Sequence, residues 1–254
     1  MTLRGRPSHP FVARPSRRLA GRTRLVLFRR TVPLIGKVCS LGIHPMYVPA
    51  HFAEDRIPVL HDFIRASGLA TLVTMTADGL IAGHVPLMLN PEPAPYGTLI
   101  GHLARPNPQA REAIGDALAI FPGTDGYITP SYYVTKRENG KVVPTWNYTA
   151  VHAYGSLRFV DDRTELLDIV TRLTNRFENS RAAPWAVTDA PADFVQGMLN
   201  GIIGFELTIT RLEGKRKMSQ NRPAADRTGV VEGLREDGRP DLAREVAAAA
   251  ERTA

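Results

Sequence analysis

The stretch that most constrains the fold of this chain is Val142-Val143-Pro144-Thr145-Trp146-Asn147-Tyr148-Thr149-Ala150-Val151-His152-Ala153-Tyr154-Gly155. It reads as an extended segment whose side chains alternate between two faces. Tyr148, Ala150, His152 and Tyr154 share one face; Thr149, Val151 and Ala153 share the other. The second set is small or apolar, as a core-sealing strand requires. The first carries rings with polar tips, which a purely structural strand does not need. Two readings fit it: a wall for a flat, polar-edged ring system, or an interfacial strand whose Tyr and His groups are satisfied by neighbours.

At 254 residues the chain is long enough for one domain with a substantial core. Its lone cysteine, Cys39, excludes an internal disulfide and a Cys-based zinc site, which fits a reducing, cytoplasmic protein. No apolar run approaches the ~20 residues of a membrane helix, so a soluble protein with no membrane partner is expected. The net charge of +7 is unevenly placed. Residues 1–45 hold ten Lys/Arg and no acid, leaving 22 Lys/Arg against 25 Asp/Glu, or −3, for residues 46–254. The high pI therefore belongs to the extension and gives no reason for the body to bind nucleic acid. Residues 1–45 read as a basic arm, as a leader around Arg29-Arg30, or as translated upstream sequence with the working start at Met46. The last is favoured because composition changes abruptly there.

Helical periodicity runs from Glu54 to Ser67, and Leu69 to Asn90 reads as a β-hairpin turning at Asp78-Gly79. Strands are predicted at Thr98–Leu103, Leu118–Phe121 and Tyr127–Tyr133, then through the central stretch to about Val160. Asp161-Asp162 caps a helix over Thr164–Phe177, a second helix spans Ala192–Asn200, and Ile202–Leu212 closes the strands. The division that follows is an extension (1–45), a barrel domain with inserted helices (46–212), and a C-terminal box with a helical tail (213–254). A strand running into Arg105-Pro106-Asn107-Pro108-Gln109 is either an anion cradle or an ordinary Pro-rich loop with an Asn cap. There is no internal repeat, Gly-rich dinucleotide fingerprint, P-loop, metal-ligand spacing or helix-turn-helix signature.

Five ordered blocks carry a resemblance. They are Met46–Phe52 (MYVPAHF), Gly101–Gln109 (GHLARPNPQ), Tyr127–Tyr133 (YITPSYY), Val143–His152 (VPTWNYTAVH) and Gly214–Pro223 (GKRKMSQNRP). Through them the chain from Met46 to about Glu236 resembles the PaiB-type, FMN-binding negative transcriptional regulator family. One position departs: after Asn107-Pro108-Gln109 the family usually has tryptophan, and here Ala110 stands. The resemblance implies a mainly β protein with appended helices, an FMN-binding split β-barrel, and a homodimer with FMN between subunits. It implies Arg105 with the Asn107 loop, or Lys217 with Ser219, at the phosphate. Trp146, Asn147, Tyr148 and His152 would hold the isoalloxazine. His84, equally readable as a satisfied edge histidine, completes the candidate cofactor residues together with His102, Ser131, Tyr132, Thr145, Gln220 and Asn221.

The function implied is an FMN-binding repressor that senses redox state or a ligand. A flavin-dependent oxidoreductase or flavin reductase, or a haem-binding or accessory protein of the same fold, is the alternative. No catalytic acid–base pair follows from spacing, and a flavin would carry redox chemistry itself. Direct contact with operator DNA rests on Arg211, Lys215, Arg216, Lys217 and Arg222, which lie within twelve residues. That density equally suits a phosphate clamp or a solvated turn.

Overall fold

The computed structural model describes residues 45–251. The arm, leader and upstream-sequence readings of residues 1–44 lie outside them. In chain order the elements are β1 (Ala53–Glu54), α1 (Ile57–Ala66), β2 (Ala70–Thr76), β3 (Gly79–Val85), β4 (Met88–Asn90), β5 (Thr98–Ala104) and α2 (Gln109–Glu112). Next come β6 (Ile114–Ile128), α3 (Val134–Glu138), β7 (Thr145–Val160), α4 (Arg163–Glu178), α5 (Ala192–Leu199), β8 (Ile202–Lys217), α6 (Ala224–Glu236) and α7 (Pro240–Glu251). The strands form one antiparallel sheet in the order β3-β2-β6-β7-β8-β5-β4, with β1 added on β8.

Residues from distant strands of that sheet meet in one core: Leu72 of β2, Phe121 of β6, Val151 of β7, Phe205 of β8 and Leu99 of β5, with Leu60 and Ile64 of α1. A flat sheet cannot bring β2 and β5 together across four strand spacings, so the sheet curls around them. Its hydrogen-bonded path ends at β3 and β4, which do not pair with each other. This is the expected mainly β split barrel with helices appended. Gly155 lets β7 bend: a Cβ there would lie 1.9 Å from the Thr208 carbonyl oxygen, where the β7–β8 register shifts.

α4 covers the outer side of β5 and β8, packing Ile169 and Leu173 on Ile100 and Val160. Its N-cap is Asp162, whose carboxylate accepts from the Thr164 and Glu165 N–H groups at 2.9 and 3.0 Å. A second core joins Ile128, Tyr133 and Met218 to Val230, Leu234, Leu242 and Val246 of the α6–α7 hairpin. Gly238, at φ +71°, turns that hairpin.

The outline matches the sequence reading and the boundaries do not. The two strands expected at Leu118–Phe121 and Tyr127–Tyr133 are one strand, β6, shifted in register between Pro122 and Asp125. The run Pro130–Tyr132 is a 3-10 turn rather than strand. The strand expected to close at Leu212 continues to Lys217. A two-helix hairpin with a glycine turn is present where no such signature is legible. The exposed positions of its second helix, Asp241, Arg244 and Ala248, are not a basic recognition face. Among the described residues no helix is long and apolar enough to cross a membrane.

Candidate functional site

The ring-bearing face of β7 lies on the outside of the barrel. Tyr148, Ala150 and His152 are half-buried, whereas Asn147, Thr149, Val151 and Ala153 between them point inward and are buried. Tyr154 is 4% exposed, with the Arg211 guanidinium 3.9 Å above its ring. The antiparallel register sets Lys217 opposite Tyr148, Lys215 opposite Ala150, Glu213 opposite His152 and Arg211 opposite Tyr154. On the other flank β6 contributes Ile120 beside His152 and Leu118 beside Tyr154. Rings, two ammonium groups and one carboxylate thus share a single surface.

Hydrogen bonds hold these groups in place. His152 Nδ1 lies 3.2 Å from the Tyr154 hydroxyl, and Arg211 Nε lies 3.3 Å from Glu213 Oε1. The Met46 N–H donates to Glu213 Oε2 at 2.8 Å. Lys215 donates to the Tyr47 carbonyl at 2.9 Å, with its Nζ 5.5 and 5.2 Å from the Tyr47 and Tyr148 ring centres. Lys217 donates to Thr145 Oγ1 at 2.5 Å and to the Trp146 carbonyl at 2.8 Å. Trp146 itself is 55% exposed and meets Tyr127 edge-on, ring centres 6.3 Å apart.

Burial sets the charge states. It pushes the His152 imidazolium below its ordinary range, Glu213 opposing and Lys215 adding to the effect. Burial also lowers Lys217, aided by Lys215 and Arg222 and resisted by Tyr148. The Tyr154 phenol is raised, by burial first and then by Glu213.

The structure separates the other expected site residues from this face. His84 shares it but sits three strand spacings from His152, about 14 Å at ~4.8 Å each, and its Nδ1 lies 3.1 Å from Thr71 Oγ1. His102 shares the face of β5 that α4 covers, with Nδ1 buried and, among the described residues, without a hydrogen-bond partner, and burial lowers its pKa. Arg105 is a staple: it donates to Asp161 at 2.6 Å and to the carbonyls of Asn200 and Ile202 at 3.1 and 2.8 Å. Asn107 Oδ1 accepts from the Gln109 N–H at 2.9 Å, and the fully buried Gln109 plugs the barrel wall by donating to the Leu72 carbonyl and Thr74 Oγ1. The segment is therefore a Pro-rich loop in which Asn107 closes a local turn, α2 starts after Pro108 without a side-chain cap, and Ala110 is tucked into the barrel core.

Asn147 points inward, where its amide Nδ2 donates to Ser219 Oγ at 2.9 Å. Both are buried, so neither reaches the ring face. Gln220 folds back, accepting from the Met218 N–H at 2.6 Å and donating to the Arg216 carbonyl at 2.5 Å, while Asn221 is exposed. Ser131 accepts from Lys136 at 3.0 Å. Tyr132 donates to Asp237 and lies against Gly233 of α6; burial and that bond push its hydroxyl up to about 12. Tyr47, Arg211 and Glu213 join the face unannounced. The period-two run Arg211, Glu213, Lys215, Lys217 is the signal that would have found the last two.

The chemistry of this face suits a flavin phosphate and ring system. Lys215 and Lys217 present two cations on one side of β8, and Trp146, Tyr148 and His152 present aromatic surface with polar edges.

Comparison with known proteins adds four findings. A family described as "Putative FMN-binding domain" matches residues 46–211. The chain is 34% identical over 198 residues to the Bacillus subtilis "Protease synthase and sporulation protein PAI 2", covering 77% of this chain and 92% of that one. It is 37% identical over 226 residues to an uncharacterized protein of Emericella nidulans, covering 74% and 90%. Among solved structures, a FAD and haem binding protein from Mycobacterium smegmatis is similar at 17% identity and a TM-score of 0.48, covering 65% of this chain and 73% of that one.

Proposed function

We propose, from the premise that this chain belongs to the PaiB-type FMN-binding domain family, that it is a flavin-binding regulator holding FMN on the outer face of β7 and β8. The observation that carries this reading is the shared surface of Tyr148 and His152 with Lys215 and Lys217. When bound, FMN would supply one- and two-electron redox chemistry. Lys215 and Lys217 would meet its phosphate, and the Trp146 and Tyr148 rings would exclude water from its ring system. A second copy of the chain would close the site. The surface continues from β7 through half-buried Ile120, Leu118 and Val73 to Leu80, 70% exposed.

The cluster at 211–222 does not favour direct contact with operator DNA. Arg216 pairs with Glu245 at 2.6 Å, Lys215 binds the Tyr47 carbonyl, and Arg222 stacks on Tyr133. Its members point to both faces of β8. The Lys215→Ala/Arg216→Ala variant should therefore lose FMN and stability. A drop in the salt slope of operator binding at unchanged flavin content would instead assign the cluster to DNA.

A flavin oxidoreductase is the second reading, favoured by the His152–Tyr154 contact with Glu213 and Arg211 beside it. That pair can hold or pass a proton at the edge of the face. Reduction of the FMN-loaded protein by NAD(P)H, followed at ~450 nm, separates the two. Rapid bleaching supports the oxidoreductase. A flavin inert to NAD(P)H supports the regulator.

A further inference from the structure

Residues 46–49 lie against the β8 side of the flavin face as a strap. Downstream they are anchored: β1 pairs with β8, Ala53 opposite Lys215 and Glu54 opposite Gly214, and Phe52 just before it is buried. Upstream, two side chains of the face hold them. Glu213 Oε2 accepts from the Met46 N–H at 2.8 Å, and the Lys215 ammonium donates to the Tyr47 carbonyl at 2.9 Å. The same ammonium lies 5.5 Å from the Tyr47 ring centre and 5.2 Å from that of Tyr148.

Lys215 is 9% exposed, and among the described residues no carboxylate lies within ion-pair distance of it. A buried ammonium usually has a counter-ion, because a carbonyl and two rings return only part of the hydration it gives up. Enclosed in this way, Lys215 can meet a phosphate only if one of its three contacts moves. Tyr148 is fixed inside β7, with Asp125 of β6 on one side and Lys217 of β8 on the other. Tyr47 is 82% exposed, so little besides Lys215 holds its ring. We propose that residues 46–49 are a lid on the phosphate end of the flavin site. The Tyr47 carbonyl and ring occupy Lys215 until the phosphate of FMN displaces them. The lid rests on the reading of the β7–β8 face as the flavin site and adds a means of regulating it. Strap and phosphate compete for one ammonium, so each weakens the other by the same factor. Flavin occupancy thus becomes a movement of the chain just ahead of β1, and whatever holds the strap down lowers the apparent FMN affinity.

The test is hydrogen–deuterium exchange over residues 46–52 of the full chain, with and without FMN, beside FMN titrations followed by flavin fluorescence. FMN should strip the Met46 N–H of its protection as the strap lifts from Glu213. Lys215→Met should show that loss with no FMN present; slow exchange in this variant overturns the assigned tether. Tyr47→Ala should bind FMN about three- to tenfold more tightly, the worth of one cation–π contact. Tyr47→Phe keeps the ring and should titrate like wild type. FMN that binds without changing the exchange overturns the lid and leaves the flavin face standing. Weaker binding by Tyr47→Ala does the same, and makes Tyr47 a wall of the site instead. If neither wild type nor Tyr47→Ala takes up FMN, the flavin reading falls and the lid falls with it.

Discussion

The Asn147–Ser219 pair shows at residue scale how far local pattern reaches. Alternation along β7 places Tyr148 and His152 together, and that much is legible because a period of two is a property of neighbours in sequence. The same alternation sends Asn147 the other way. Its partner stands 72 positions along the chain, which nothing local reveals. Asn147→Leu should destabilise the fold by about 1–3 kcal/mol, since Ser219 is left buried and unpaired. Urea denaturation measures this, and FMN affinity of the folded protein should stay the same. The histidines make a separate prediction. Burial holds His152 and His102 below the ordinary 6.5, so the unfolded chain takes up protons first. Their contribution is unchanged above pH 6.5, and stability falls as the pH drops below it toward the folded-state values. Denaturation midpoints at pH 7.5 and pH 5.5 should differ in that direction, and less so in His102→Leu.

At the scale of elements, Arg105 is the clearest case of a residue whose partners lie beyond the local pattern. A guanidinium after a strand and before a helix suits an anion, but Asp161 and two carbonyls near α5 take its donors. Those partners lie 56 to 97 residues away, beyond any spacing argument. Arg105→Ala should lower the thermal midpoint by loosening α4 and α5 from the barrel, with FMN binding of the folded protein unaffected. A protein of unchanged stability that has lost FMN would return Arg105 to the phosphate. The strand boundaries failed for a related reason. The two expected strands stop on either side of Pro122-Gly123, yet these residues build a bulge inside one long strand, where turn-forming residues serve equally well. Likewise β8 runs past the expected end at Leu212, through Gly214, to Lys217.

For the whole molecule, the pattern of strands was enough to set the class, because inward residues repeat at every second position along β2 and along stretches of β6, β7 and β8. The closure of those strands around one core, and the docking of the α6–α7 hairpin as a second core, depend on long-range packing that no window of sequence contains. The account's central claim is that the outward surface of β7 and β8 is the flavin site. Fluorescence titration of FMN into the full chain and into Lys217→Met tests it most directly. The account predicts saturable quenching at one FMN per chain and a loss of at least about tenfold in affinity for the variant. Wild-type protein that takes up no FMN, or a Lys217→Met protein that titrates like wild type, would contradict it.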